Sequence, residues 1–402
     1  MKKYIQFLVG IMFLILVNTA FSQERKKILP GAFQTEQYVP FLAKKRVGIF
    51  TNHTAMLGKI HLIDTLLKSG ITIEKIFTPE HGLRGTADAG EATKDAVDPI
   101  TGIKVVSLYG SKYGPDEKDL QDIDILVFDI QDVGTRFYTY ISSLQYFIEA
   151  AQQNNKPLIV LDRPNPNGFY IDGPVLEKPF SSFIGKQPIP IVYGMTIGEY
   201  AKMLVGEKWI KTTNDNNNWQ LTVIPCLNYD HNSKYVLEVA PSPNLKTMNA
   251  IYWYATTCLV EGTVMSEGRG TDNPFSYIGH PSIANKGFTF TPISRPGATD
   301  PKLKNQVCYG WDLSSTAPPT NKINLALFIE MFDSFPDREN FFIQPKIDEP
   351  TKYYFNKLAG NSELMTQIKE GKSEKQIRKS WAKGITKFKK IRKNYLLYSD
   401  FE

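Results

Sequence analysis

Pro79-Glu80-His81-Gly82-Leu83-Arg84-Gly85 places a carboxylate, an imidazole and a guanidinium within five positions, directly after the apolar run Ile71 to Phe77. A carboxylate just past a buried strand is partly desolvated. That raises its pKa and suits Glu80 to general-acid work near neutral pH. Arg84 offers the competing arrangement, a salt bridge that would hold Glu80 ionised. His81 either orients Glu80 or contacts a ligand, and a hydrogen-bonded structural imidazole fits equally well.

Hydrolysis of a glycosidic bond usually takes a second carboxylate across the scissile bond. The candidates are Glu267, Glu91, Asp129 and Asp132. Glu91 follows Ala89-Gly90 on the same excursion as Glu80. Glu267 lies in the distant Ser266-Glu267-Gly268-Arg269-Gly270-Thr271-Asp272, where small residues allow close backbone approach. Each is equally consistent with an ion pair or a helix cap. Asp129 ends the most apolar run, where a structural hydrogen bond is the simpler role. Asp132-Val133-Gly134-Thr135-Arg136-Phe137-Tyr138-Thr139-Tyr140 adds a carboxylate, a guanidinium and phenols. Tyrosine rings stack on sugar faces and arginine grips carboxylates bidentately. Arg84, Arg136 and Arg269 gathered in one pocket would favour an anionic substrate.

Other chemistries lack their signatures. There is no G-x-G-x-x-G and no G-x-x-x-x-G-K-[ST], so no phosphate cradle and no nucleotide cofactor are expected. There is no H-E-x-x-H, and the five histidines are scattered, so no metal site is expected. Val264-Met265-Ser266-Glu267-Gly268 approaches a nucleophile elbow but lacks its first glycine. Ser266 reads better as a turn hydroxyl than as a nucleophile.

The elements that must position these residues alternate. Strands are expected at Arg46 to Phe50, Ile71 to Phe77, Lys104 to Leu108, Ile123 to Phe128 and Leu158 to Leu161. Ile60, Ile63, Leu66 and Leu67 have helical spacing, as do Tyr140, Leu144, Phe147 and Ile148. A βαβ series implies a parallel sheet covered on both faces. Each strand ends in a polar cluster, and open α/β sheets bind ligands at that edge. Thr196-Ile197-Gly198-Glu199 has the pattern of a capping box, Thr212 to Asn218 reads as a polar loop, and Leu221 to Ile224 as a further strand. Past Pro274 the texture changes. A strand at Phe288 to Ile293, a helix at Asn324 to Phe332 and an amphipathic end with Ile377, Trp381, Ile385 and Phe388 form a second unit.

The fold class expected is therefore α/β, a Rossmann-like parallel sheet with a second, smaller α+β C-terminal domain. The expected divisions are a signal peptide over 1–22, a catalytic domain over 23–273 and the smaller domain over 274–402. The leader rests on Lys2 and Lys3, the apolar run Phe7 to Val17, and small residues at Ala20 and Ser22. Cleavage after Ser22 would give a periplasmic or secreted protein without a membrane anchor. Among 402 residues, 42% are hydrophobic, and the net charge of +6 is too mild to demand a nucleic-acid partner. Cys226, Cys258 and Cys308 fit no metal spacing and form at most one bridge. The basic run from Lys369 to Lys393 reads as the solvated face of a terminal helix.

These motifs together resemble the NamZ-type exo-β-N-acetylmuramidases. The resemblance lies in Val47 to Thr54, Phe77 to Gly85, Ala89-Gly90-Glu91 and Val127 to Tyr140, then in Leu161 to Asn167, Tyr193 to Thr196, Glu261 to Phe275 and Tyr395 to Tyr398. It implies a cleft where two domains meet and release of N-acetylmuramic acid from non-reducing ends of peptidoglycan fragments. By that resemblance Glu80 sits in the acid motif and Glu267 in the glycine-rich motif. Asn52, His53, Arg84, Asp129, Asp132, Arg136 and Tyr138 would line the pocket, with Arg136 or Arg84 taking the lactyl carboxylate. Val264, Asp272 and Asn273 depart from the family pattern. Two other readings compete: a serine esterase or deacylase built on Ser266, and a muropeptide-binding protein without turnover.

Overall fold

The computed structural model describes residues 26–85, 88, 90–91, 95–212 and 218–402. The expected leader over 1–22, Ala89 and positions 213–217 of the polar loop lie outside the described residues.

Seven strands form one sheet. They are β1 (Arg46–Thr51), β2 (Thr72–Thr78), β3 (Ala96–Val97), β4 (Lys104–Ser107), β5 (Ile125–Asp129), β6 (Leu158–Leu161) and β7 (Leu221–Ile224), in the order β3-β4-β2-β1-β5-β6-β7. Only the short β3 runs antiparallel to its neighbour. The strands are apolar at nearly every position because both faces are covered. On one face Phe50, Phe77 and Phe128 join Phe147 of α2 (Tyr140–Gln153), and Phe50 stacks on Phe128 at 4.6 Å. On the other, Val47, Ile49, Ile76 and Val127 join Leu62 and Leu66 of α1 (Leu62–Lys68). The expected capping box is present: Thr196 and Glu199 open α3 (Ile197–Gly206).

The chain winds outward from β1 through β2 to β4, then returns to the other side of β1 with β5. Strand order reverses there, so a crevice opens beyond the carboxyl ends of β1 and β5. Register keeps those ends level. Phe50 pairs with Phe77, Thr51 with Asp129, and Thr78 with Ser107. Every residue just past a strand therefore emerges at one edge.

After α4 (Met248–Thr257), the second domain holds an antiparallel sheet of β8 (Tyr277–His280), β9 (Thr289–Phe290) and β10 (Cys308–Asp312), in the order β8-β10-β9. Helices α5 (Leu325–Ser334), α6 (Tyr354–Ala359), α7 (Glu363–Lys369) and α8 (Glu374–Arg392) complete it. Helix α8 buries Ile377, Trp381 and Phe388, with Ile385 half-buried beside them, and turns most of its lysines to solvent. One continuous apolar cluster runs from Phe50 and Phe128 to Phe328, Phe355 and Trp381, so the two domains share a core. The chain end returns to the first domain. The Tyr398 hydroxyl donates to Asp162 Oδ2 at 2.6 Å, and Leu397 N–H to Glu199 Oε1 at 2.8 Å. The three cysteines are buried and free.

Candidate active site

The opening motif forms a tight turn at the end of β2, closed by Gly82 N–H to Pro79 O at 3.0 Å. His81 adopts φ 70° and Gly82 φ 69°, left-handed backbone that is unusual for a residue with a Cβ. Strain of this kind concentrates at functional sites. Further on, Gly85 has φ 68°, and a Cβ there would stand 2.2 Å from His53 Nδ1. Only glycine lets the imidazole lie against this turn.

Glu80 is half-buried, and both its oxygens have donors. Oε1 accepts Gly90 N–H at 2.7 Å, and Oε2 accepts the Thr139 hydroxyl at 3.3 Å. The Tyr109 hydroxyl also bonds to this carboxylate. Burial first, then the Glu80 charge, pushes the Tyr109 pKa up, so the phenol stays a donor. The turn beside Glu80 is tied to the second domain: Asp88 Oδ2 accepts Thr299 N–H at 2.7 Å and also the Thr299 hydroxyl.

Glu80 and His81 open onto a cleft together with Tyr138, Thr139, Tyr254 and Arg269. The aromatic wall bridges the domains. Phe137 meets Tyr254 edge-on at 5.5 Å, and Tyr254 meets Phe275 at 4.8 Å. Ser242 and Leu245 close another side. They belong to a strap over the strand ends that is pinned from below. His53 Nε2 bonds Ala240 O at 2.8 Å, and the Tyr138 and Tyr140 hydroxyls both donate to Pro241 O, at 2.9 and 3.3 Å. Burial lowers the His53 pKa, so the ring is neutral and Nε2 carries the proton. Asn52 is buried beneath, donating to Tyr140 Oη at 2.9 Å and accepting from Thr54. Asn52, His53 and Tyr138 thus share one task, holding the strap, and Tyr138 alone of the three also lines the cleft.

Several residues expected to touch substrate are placed elsewhere. Arg136 is fully buried. Nη1 donates to Pro174 O and Ile189 O at 2.9 and 2.7 Å, and Nη2 to Leu358 O and Ala359 O at 2.8 and 2.7 Å. The last two are orphan carbonyls at the end of α6, which need donors from outside the helix. Burial without an acidic partner lowers the Arg136 pKa to about 9. This guanidinium joins the domains and does not line the cleft. Arg84 is half-exposed and paired with Asp98 at 2.6 Å, not with Glu80. Asp129 is buried in a bidentate pair with Arg163 at 2.5 and 2.9 Å. Asp132 accepts Gly134 N–H at 2.7 Å and the Tyr193 hydroxyl at 2.5 Å, and burial pushes its pKa up to about 6. Glu91 is exposed, and its Oε2 accepts Asp88 N–H at 2.9 Å, shaping the loop that delivers Gly90 to Glu80.

Glu267 is buried between two cations, Lys302 Nζ at 2.8 Å and Arg269 Nε at 3.3 Å. Burial favours its neutral form, but the two cations prevail and hold its pKa below the usual carboxylate range. It is an anchor for Arg269, which does line the cleft. Ser266 is 1% exposed and its Oγ accepts Gly268 N–H at 3.1 Å, the geometry of a turn hydroxyl.

Sequence reasoning missed Tyr109 as a partner of Glu80, although its signal is present. Thr78 pairs with Ser107, so residues two past each strand end, Glu80 and Tyr109, emerge side by side. Thr139 lies within the expected motif Asp132 to Tyr140. Ser242 and Leu245 carry no periodic or compositional signal.

Comparison with known proteins agrees with this architecture. The N-terminal model of exo-beta-N-acetylmuramidase NamZ matches residues 47–249, and the C-terminal model of the same family matches residues 252–398. The peptidoglycan beta-N-acetylmuramidase NamZ of Bacillus subtilis (strain 168) is 37% identical over 382 residues, which cover 90% of this chain and 89% of that protein. Crystal structures of two DUF1343 family proteins from Bacteroides fragilis NCTC 9343 superpose with TM-scores of 0.83 and 0.77, at 40% and 28% identity. Each alignment covers 93% of this chain and all of the solved one. With both family models matched in tandem and a relative aligned along nearly its full length, the chain belongs to the NamZ exo-β-N-acetylmuramidase family.

Proposed function

We propose that this chain is an exo-acting glycoside hydrolase that releases N-acetylmuramic acid from the non-reducing ends of peptidoglycan fragments, with Glu80 as its general acid. The observation that carries the reading is the half-buried Glu80 carboxylate at the floor of an aromatic-walled interdomain cleft. Glu80 is the carboxylate among the described residues lining that cleft. Glu267 is already neutralised by Lys302 and Arg269, and Glu91 bonds its own loop. This arrangement favours a reaction in which the substrate's 2-acetamido group attacks the anomeric carbon while Glu80 protonates the leaving oxygen. Gly90, Thr139 and Tyr109 orient the carboxylate, and the Tyr138 and Tyr254 rings supply apolar faces for the pyranose.

The test is incubation of purified protein with the disaccharide of N-acetylmuramic acid β-linked to N-acetylglucosamine. The expected products are the two monosaccharides. Intact disaccharide after prolonged incubation across neutral pH overturns the reading, and a polymer cut internally overturns its exo character.

The amino terminus supports export to the periplasm or beyond, with cleavage after Ser22. Among the described residues no helix is long and apolar enough to cross a membrane. The amino-terminal sequence of the exported protein is expected to start at Gln23. Retention of Met1 on protein from the cell envelope would sink the leader assignment.

A further inference from the structure

N-acetylmuramic acid differs from N-acetylglucosamine by a lactyl ether on O3, which ends in a carboxylate. An enzyme selective for the former needs a cation in the same cleft as the acid, one sugar-ring width from the scissile oxygen. Arg136 and Arg84, the two expected cations, are both committed elsewhere. We propose that Arg269 is the residue that reads the lactyl carboxylate and sets the preference for muramic acid. This inference rests on the glycosidase reading above.

Three observations carry it. First, Arg269 lines the cleft with Glu80, and its side chain is 20% exposed. Second, it is held rigidly on two sides. Nη2 donates to Glu261 Oε1 at 2.6 Å, Nε faces Glu267 Oε1 at 3.3 Å, and the guanidinium lies 4.9 Å above the Phe275 ring. Glu261 is itself bonded by the Tyr354 hydroxyl at 3.3 Å. A fixed fork loses little entropy on taking a carboxylate. Third, its donors are not exhausted. A guanidinium has five N–H groups, and Nη1 belongs to neither ion pair.

The neighbouring Lys302 cannot substitute. Its three protons are matched by Glu267 Oε2 at 2.8 Å and the carbonyls of Val260 and Thr263 at 3.1 Å each. His81 also lines the cleft but lacks the permanent charge and planar fork of a guanidinium. The two carboxylates around Arg269 do not forbid a third, because Lys302 offsets Glu267 and the four-residue group is neutral. Glu267 thereby acquires a role: it positions the reader and takes no part in proton transfer.

The experiment uses two substrates, the 4-nitrophenyl β-glycoside of N-acetylmuramic acid and the same glycoside with its lactyl carboxylate converted to a primary amide. Wild-type kcat/KM is expected to favour the acid about 100-fold, the scale of one charge-assisted pair. In Arg269→Gln the acid-to-amide ratio is expected to fall to about 1. An intact ratio in Arg269→Gln, or a wild-type ratio near 1, overturns the inference and leaves the glycosidase reading standing. If Arg269→Gln fails to fold, Arg269→Lys keeps a charge between Glu261 and Glu267 without the fork. Its ratio is expected to drop about tenfold, and an unchanged ratio again overturns the proposal. A wild-type enzyme that cleaves neither glycoside overturns the glycosidase reading itself and this inference with it.

Discussion

Glu80→Gln is expected to lower kcat on the natural disaccharide by about 10²- to 10⁴-fold, the usual range for a positioned general acid. The substitution is isosteric, and the glutamine carbonyl still accepts Gly90 N–H. The Thr139 and Tyr109 hydroxyls can reorient to accept from the amide, so the fold is expected to persist. A lost proton donor has a signature that a disturbed fold does not. A nitrophenolate leaves without help, so the deficit on the nitrophenyl glycoside is expected to be much smaller than on the disaccharide. Equal deficits on both substrates would place Glu80 in a structural role, and near-normal turnover on both would remove it from the mechanism.

The second large effect concerns stability. Arg136→Met is expected to destabilise the protein by about 3 kcal/mol or more. It removes donors from four main-chain carbonyls, two in the first domain and two at the end of α6 in the second. The methionine fills part of the volume, and the cost of burying a charge disappears. Three acceptors left without partners in a dry interior, the carbonyls of Pro174, Leu358 and Ala359, outweigh that relief, while Ile189 O keeps Leu176 N–H at 3.1 Å. Arg136→Lys is expected to fall between, since one ammonium has three protons and cannot span four carbonyls. Arg84→Ala serves as the control. Its half-exposed pair with Asp98 is expected to contribute less than about 1 kcal/mol. The midpoints of urea unfolding measure all three. Arg136→Met unfolding at the wild-type midpoint would contradict the reading of Arg136 as the joint between the domains.

The same interdomain joint explains one feature of the chain that carries no chemistry. Tyr398 was part of the family resemblance, yet its hydroxyl serves Asp162, a carboxyl that burial pushes up to about 7 at the end of β6. The glycine-rich turn around Glu267 seats a cation pair of which Arg269 lines the cleft.

The sequence by itself determined the sheet, its parallel sense and the edge where function gathers. Those features follow from local periodicity: apolar runs of four to seven residues alternate with helical spacing, and each run ends in polar residues. It also determined that Glu80 emerges at that edge, because a strand's last residue is visible in its own hydrophobic pattern. Tertiary structure decided the roles of the charged residues. Arg84, Arg136 and Arg269 have the same chemistry and similar polar neighbours in sequence. One is paired in a half-exposed surface contact, one is buried among carbonyls 38 to 223 residues away, and one lines the cleft. A side chain's task depends on which distant groups share its desolvated space, and those partners come from chain segments that no local pattern links. The cleft itself is of this kind, since its walls come from Phe137 and Phe275, on different domains, and from a strap without periodicity.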